Sequence, residues 1–392
     1  MIYQRKIYKK IKKHFGVKQV VVITGMRRVG KTTILKQILA DITSENKAYF
    51  DLENLSDRTI FDQKNYDNIL LDLERKGIDI NQKMYLAIDE IQFLPNITSV
   101  IKYLYDHYDI KFFVTGSSSY YLKNLFTQSL SGRKIVFELF PLDFGEFLTF
   151  KEVYYKAKDA FTGKFSEFEY ERLKFYYEDF IHFGGFPEVV LAKQDDLKKE
   201  LLNDIISSYV NIDIKSLSDF RKDKEIYNLI KMLASRVGSR LDYNKLASLI
   251  SLSRHTIEAY VDFFEKTYLI YRTSVYTHNT DREIVKAKKI HFCDNGLLSV
   301  LAENSSGAKF ENAIFNQLRH SGDIRYYALK DGSEIDFILD KSVALETKES
   351  PTKADQKNLA RLSTIAGLKK YRLIGRKNVP GFDDYIWGGD IK

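Results

Sequence analysis

Five short apolar runs separated by stretches of helical periodicity limit this chain more than any other feature. They are VVVIT at 20–24, AYFDL at 48–52, MYLAID at 84–89, KFFVT at 111–115 and IVFELF at 135–140, with helical patterns such as 32–42 and 97–107 between them. A strand that is apolar on both faces needs cover on both faces, and alternating helices supply it. The pattern predicts an α/β domain built on a parallel sheet over residues 1–144.

The first run leads into GMRRVGKT at 25–32, which meets G-x-x-x-x-G-K-[ST] at every fixed position and opens the helical stretch TTILKQIL. A preceding strand and a following helix are the context such a loop requires. Gly25 and Gly30 let the backbone turn tightly, so consecutive amides across Met26, Arg27, Arg28, Val29, Lys31, Thr32 and Thr33 face phosphate oxygens at the positive end of a helix. Lys31 is expected to reach the β- and γ-phosphates of ATP, and the Thr32 hydroxyl to coordinate Mg²⁺. YLAIDE, at 85–90, ends an apolar strand in two acids. Asp89 suits a water-mediated Mg²⁺ contact, and Glu90 suits polarisation of the attacking water. KFFVTGSSS ends the next strand in Thr115, Gly116 and Ser117, where a hydroxyl senses the γ-phosphate. Arg133, in SGRKIVFEL, is a candidate guanidinium for the transition state, with a plain surface arginine as the alternative.

The pattern changes at about residue 145. Aromatics interleave with Lys and Glu at helical spacing to about 200, and Gly184, Gly185 and Pro187 mark a turn. This stretch reads as a helical lid. Residues 201–275 stay helical and contain a short helix, a turn at 251–253, a second helix with Ser253 as N-cap, and a β-like pair. That order is a helix-turn-helix with a wing. Arg254, His255 and Thr256 would meet DNA from the second helix, the alternative being a module that only packs. Residues 276–392 return to mixed α/β character, with strands IRYYAL, EIDFIL and VALETK.

In order, GMRRVGKTT, YLAIDEIQFLP, VTGSSS, LSGR and FELFPLDFGEF resemble the AAA+ ATPases of archaea and bacteria that are fused to a C-terminal domain of unknown function. GGFPEVV and KIHFCDNGLLS extend the resemblance over nearly the whole chain. It implies a five-stranded AAA+ core at 1–144, a lid at 145–200, a winged helix at 201–275 and a restriction-endonuclease-like domain at 276–392. It also implies a sensor role for Ser117 and a finger role for Arg133.

The last stretch carries its own candidate site. Glu346 and Lys348 are two apart and share one face of a strand, and a turn at 340–342 would fold Asp336 towards that face. Glu311 lies on the preceding helix, and Gln356 on the following one. Two carboxylates, Asp336 and Glu346, suit Mg²⁺ or Mn²⁺, and Lys348 suits activation of water. The set resembles the PD-(D/E)xK nuclease pattern. A solvated hairpin or an inactive relic of that fold is the alternative.

Composition excludes several classes. A single cysteine, Cys293, allows neither an internal disulfide nor a thiolate zinc site. The histidines show no paired metal-ligand spacing, and no GxSxG nucleophile is present. No apolar run approaches the roughly 18 residues of a membrane span, and no secretory leader is read, so a cytoplasmic protein without membrane contact is expected. The net charge of +8 and pI near 9.0 suit a phosphate-backbone partner or a lysine-rich composition equally. Two functions follow as expectations. One is a Mg²⁺-dependent ATP hydrolase coupled to a C-terminal domain that binds or cuts DNA or RNA. The other is an ATP-dependent switch with little turnover, an inactive nuclease-like fold and a protein partner; self-association is compatible with both.

Overall fold

The computed structural model describes residues 3–117, 130, 132–155, 163–215, 223–277 and 279–391. The chain divides into two compact units, the first comprising 1–140 with 266–268 and the second 141–265 with 269–392.

The first unit is a five-stranded sheet of β1 (Val20–Thr24), β2 (Lys47–Asp51), β3 (Met84–Asp89), β4 (Ile110–Gly116) and β5 (Lys134–Glu138). Its order is β2-β3-β4-β1-β5, and every pairing is parallel. The expected parallel α/β sheet is therefore present, with strand limits within about two residues of the apolar runs. All residues of β1 and β4 are buried, as strands covered on both faces must be. Each fully buried Val or Ile contributes about 2 kcal/mol by leaving water. One exception to apolarity in β4 is Lys111, whose ammonium donates to the carbonyls of Val17 (2.8 Å) and Gln19. Burial pushes its pKa down to about 8.

The second unit opens with helices and closes on a mixed sheet of β6 (Ile270–Val275), β7 (Lys289–Phe292), β8 (Ile324–Ala328), β9 (Glu334–Leu339), β10 (Val343–Lys348), β11 (Lys370–Gly375) and β12 (Ile386–Trp387). Its order is β12-β11-β10-β9-β8-β6-β7. The helices Tyr243–Ile250 and Arg254–Lys266 lie where the helix-turn-helix reading puts them, and Ser253 caps the second through the Thr256 amide (3.1 Å). The strands after them are continuous with the C-terminal sheet. β6 pairs antiparallel with β7 and parallel with β8, so one sheet runs across the expected boundary at 275/276. The stretches expected as lid, winged helix and C-terminal domain fall in this one unit, which adds residues 141–144 and lacks 266–268.

The GGFPEVV and CDNGLLS motifs meet in its core. Asp294 caps the helix Asn295–Leu301 by accepting from the amides of Gly296 (2.8 Å) and Leu297 (3.2 Å), and it also accepts from Gly185 N–H (2.6 Å). A side chain on Gly184 would strike that carboxylate at 2.1 Å, which explains the small residue in the turn.

Candidate functional sites

In a parallel sheet every strand's carboxyl end lies on one edge, where ligand crevices form. The loop 25–30 and Ser117 follow β1 and β4, and Asp89 ends β3, all on that edge. β4 lies between β1 and β3, so Ser117 follows the strand that separates the loop from the acids.

The loop's shape comes from three residues with positive φ: Gly25 (152°), Arg28 (62°) and Gly30 (98°). At Gly25 a Cβ would lie 2.0 Å from the Leu139 carbonyl oxygen, so only glycine fits. Gly30 starts the helix Lys31–Asp41, whose first-turn amides have no acceptor within the helix. Met26 and Val29 are buried and anchor the loop to the core. From behind, the Arg5 guanidinium donates to the carbonyls of Val29 and Phe140, both at 2.8 Å. The buried Lys31 ammonium curls onto the Gly25 and Met26 carbonyls, each at 3.0 Å. Thr32 and Thr33 follow on the helix's first turn.

Asp89 is buried, and its partners are all neutral. Its carboxylate accepts from the Tyr49 hydroxyl (2.9 Å), the Glu90 amide (3.2 Å) and the Thr115 hydroxyl. Burial, then the charge of Asp89, drives the Tyr49 phenol well above its ordinary range. Glu90 takes a left-handed φ of 51°, which turns its side chain out of the strand direction. Its carboxylate accepts from Gln92, whose amide also donates to the Ser117 hydroxyl at 2.9 Å. Gln92 thus links the second acid to the end of β4. A buried carboxylate with only neutral donors, on the same sheet edge as the helix start that carries Thr32, supplies hard oxygen with charge to spare, which fits Mg²⁺.

Arg133 is not brought to this edge. It precedes β5, at the amino ends of the strands, and its guanidinium donates to both oxygens of Asp106 (3.0 and 3.3 Å). A five-residue strand spans about 16 Å, so its own chain's loop is out of reach. The physical reason is register: Val20 pairs with Lys134, which sets Arg133 level with the start of β1. Ser118, Ser119 and Ser131, which complete the VTGSSS and LSGR motifs, lie outside the described residues.

In the second unit the β9–β10 hairpin does assemble Asp336, Glu346 and Lys348. Asp336 N–H donates to Glu346 Oε2 (3.2 Å), and Lys348 Nζ donates to Glu346 Oε1 (2.6 Å). Asp336 Oδ2 accepts from the Thr347 amide and hydroxyl (2.9 and 2.7 Å). Gln356 donates to Asp384 instead. Sequence reasoning missed two members, Lys289 and Glu334. Lys289, fully buried on β7, lies 2.9 Å from Glu334, 3.5 Å from Glu311 and 3.9 Å from Asp336. Burial alone would lower its pKa, but the charges of Glu311, Asp336 and Glu334 outweigh that and hold it above the ordinary value. Burial, then Asp336, pushes Glu311 up to about 8 and Glu346 up to about 7. The Mg²⁺ or Mn²⁺ expected on Asp336 and Glu346 does not fit this donor set. Both oxygens of Glu346 and Oδ2 of Asp336 already receive ammonium, amide or hydroxyl groups, and Asp336 Oδ1 faces the Lys289 ammonium at 3.9 Å. In the sequence Lys289 shows only as the last lysine of KAKK, directly before the strand residues IHF.

Among the described residues, no helix is long and apolar enough to cross a membrane. Comparison with known proteins matches residues 17–148 to an AAA domain and 174–308 to a domain of unknown function (DUF8612). The uncharacterized Methanocaldococcus jannaschii protein MJ1544 is 30% identical over 335 residues, covering 82% of this chain and 72% of that protein. An uncharacterized Haemophilus influenzae protein is 28% identical over 355 residues, covering 85% and 84%. The solved Aeropyrum pernix ORC1 protein, in complex with DNA, aligns at a TM-score of 0.32 and 10% identity over 77% of this chain and 92% of that one, too distant to support an argument. The phosphate-loop unit is thus an AAA domain of the ATP-binding class, and the chain belongs to the family of MJ1544.

Proposed function

We propose that the protein is a Mg²⁺-dependent ATP hydrolase whose nucleotide state is relayed to a C-terminal unit with a winged-helix-like segment and a nuclease-like sheet. The observation that carries this reading is the buried Asp89 carboxylate, surrounded by neutral donors on the same sheet edge as the phosphate loop. Loop amides and the Lys31 ammonium would hold the triphosphate. Thr32 directly, and Asp89 through water, would hold Mg²⁺, which supplies neutralisation of the charge that builds on the phosphates. Glu90 orients and polarises the attacking water, and Ser117 reads the γ-phosphate. Arg133, on the opposite rim, would serve a neighbouring copy rather than its own pocket. The C-terminal unit would bind DNA, RNA or a protein partner.

Glu90→Gln tests the reading directly. It should keep ATP affinity while phosphate release falls on the order of 100-fold or more. Equal release by variant and wild type would remove Glu90 from the mechanism.

A further inference from the structure

We propose that Lys289 is the built-in cation of the carboxylate cluster formed by Glu311, Glu334, Asp336 and Glu346, so that this site is neutralised from within the chain and takes no divalent ion. The proposal goes beyond the ATPase reading, which is tested separately at Lys31 and Glu90.

Lys289 opens β7, a strand whose residues are all buried, and its side chain is only 2% exposed. Its ammonium lies over the Tyr326 ring, 5.7 Å from the centroid, and ends among three carboxylates at 2.9, 3.5 and 3.9 Å. Neither Lys289 Nζ nor Glu311 Oε1 has an aligned hydrogen-bond partner, so charge more than direction holds the group there. That is how a coordinated cation sits: one compact positive centre with oxygens from different elements around it. Here Glu311 comes from the helix Ser306–Leu318, while Glu334 and Asp336 come from β9.

The remaining charge is small. Lys348 sits on Glu346 at 2.6 Å. Arg240 sits on Glu334 at 3.1 Å, so three cations face the four acids. An entering divalent ion would meet an ammonium that cannot leave, because its stem is buried and its strand is paired to β6. A buried lysine without these acids would lose its proton; with them it stays charged. The site therefore behaves as a closed ionic core. A nucleic acid meeting this unit would be held without water activation by a metal at Asp336.

The test is Mn²⁺ binding to the nucleotide-free full-length chain, read from the EPR signal of free Mn²⁺. Wild type and Asp336→Asn should bind the same number of ions. Lys289→Met should gain one ion that the Lys289→Met, Asp336→Asn double variant loses, and Mn²⁺ should raise the melting temperature of Lys289→Met alone. A wild-type ion lost in Asp336→Asn would overturn the proposal. So would a folded Lys289→Met that gains no ion, or Mn²⁺-dependent cleavage of DNA or RNA that Asp336→Asn abolishes. If Lys289→Met does not fold, the comparison of wild type with Asp336→Asn decides alone.

Discussion

The glycines of the phosphate loop differ in what they exclude. Gly25 faces the Leu139 carbonyl, so Gly25→Ala must move backbone, and nucleotide binding should be lost in a fluorescent-nucleotide titration. Gly30 has open space around it and only an unfavourable φ. Gly30→Ala should cost about 1–2 kcal/mol of local strain and leave weakened, measurable binding. Equal binding by the two variants would contradict this account. His291 is fully buried with its ring stacked on Phe315 at 4.1 Å. Burial, then the charge of Lys289, pushes its pKa from 6.5 down to about 3. The unfolded chain therefore takes up a proton at this residue between about pH 6.5 and 3 while the folded chain does not. Stability from this group is present above pH 6.5 and falls as pH drops, by about 1.4 kcal/mol per pH unit inside that window. His291→Phe should flatten the fall, as read from urea midpoints at about pH 7 and pH 5; an unchanged slope would refute the assignment.

At the scale of elements, the β9–β10 connection puts Asp340 and Lys341 at φ of 47° and 54°, the pattern of a type I′ turn, closed by Ser342 N–H on the Leu339 carbonyl (3.0 Å). A lysine is a poor residue there, so Lys341→Gly should stabilise the unit by about 1 kcal/mol in urea unfolding. A loss of stability would mean the turn is held some other way. This hairpin was legible beforehand, because alternation and turn residues are local properties of sequence. So were the five parallel strands, whose apolar runs state their own burial. The pairing of β6 with β8 was not, since 48 residues separate Val275 from Ile324 and no short-range pattern specifies such a contact. Lys289 was missed for the same reason: its acids lie on other elements, and the last lysine of KAKK gives no hint of which charges it meets. Arg5 and Gln92 left no sequence signal at all. Their roles arise from carbonyls and hydroxyls that only the fold brings near.

Across the whole molecule, two compact units with separate sheets make nucleotide effects separable. ATP at roughly 100 times its Kd should stabilise the loop-bearing unit by about 2.7 kcal/mol, visible as a shifted calorimetric transition. Lys31→Ala should abolish that shift. An unchanged shift would mean the nucleotide sits elsewhere. Phosphate release measured with and without DNA or RNA then reports on the coupling, with stimulation as the expected result.

A short hairpin leaves little slack between β9 and β10. Adding a single residue to β10 after Ser342 would invert every side chain beyond it, so Glu346 and Lys348 would exchange faces with the buried Thr347. Asp336 would then lose the Thr347 hydroxyl from its carboxylate and the Glu346 carboxylate from its amide. Spacing along this ribbon is therefore as constrained as residue identity, and length variants of the segment should be far less tolerated than substitutions on its solvent side.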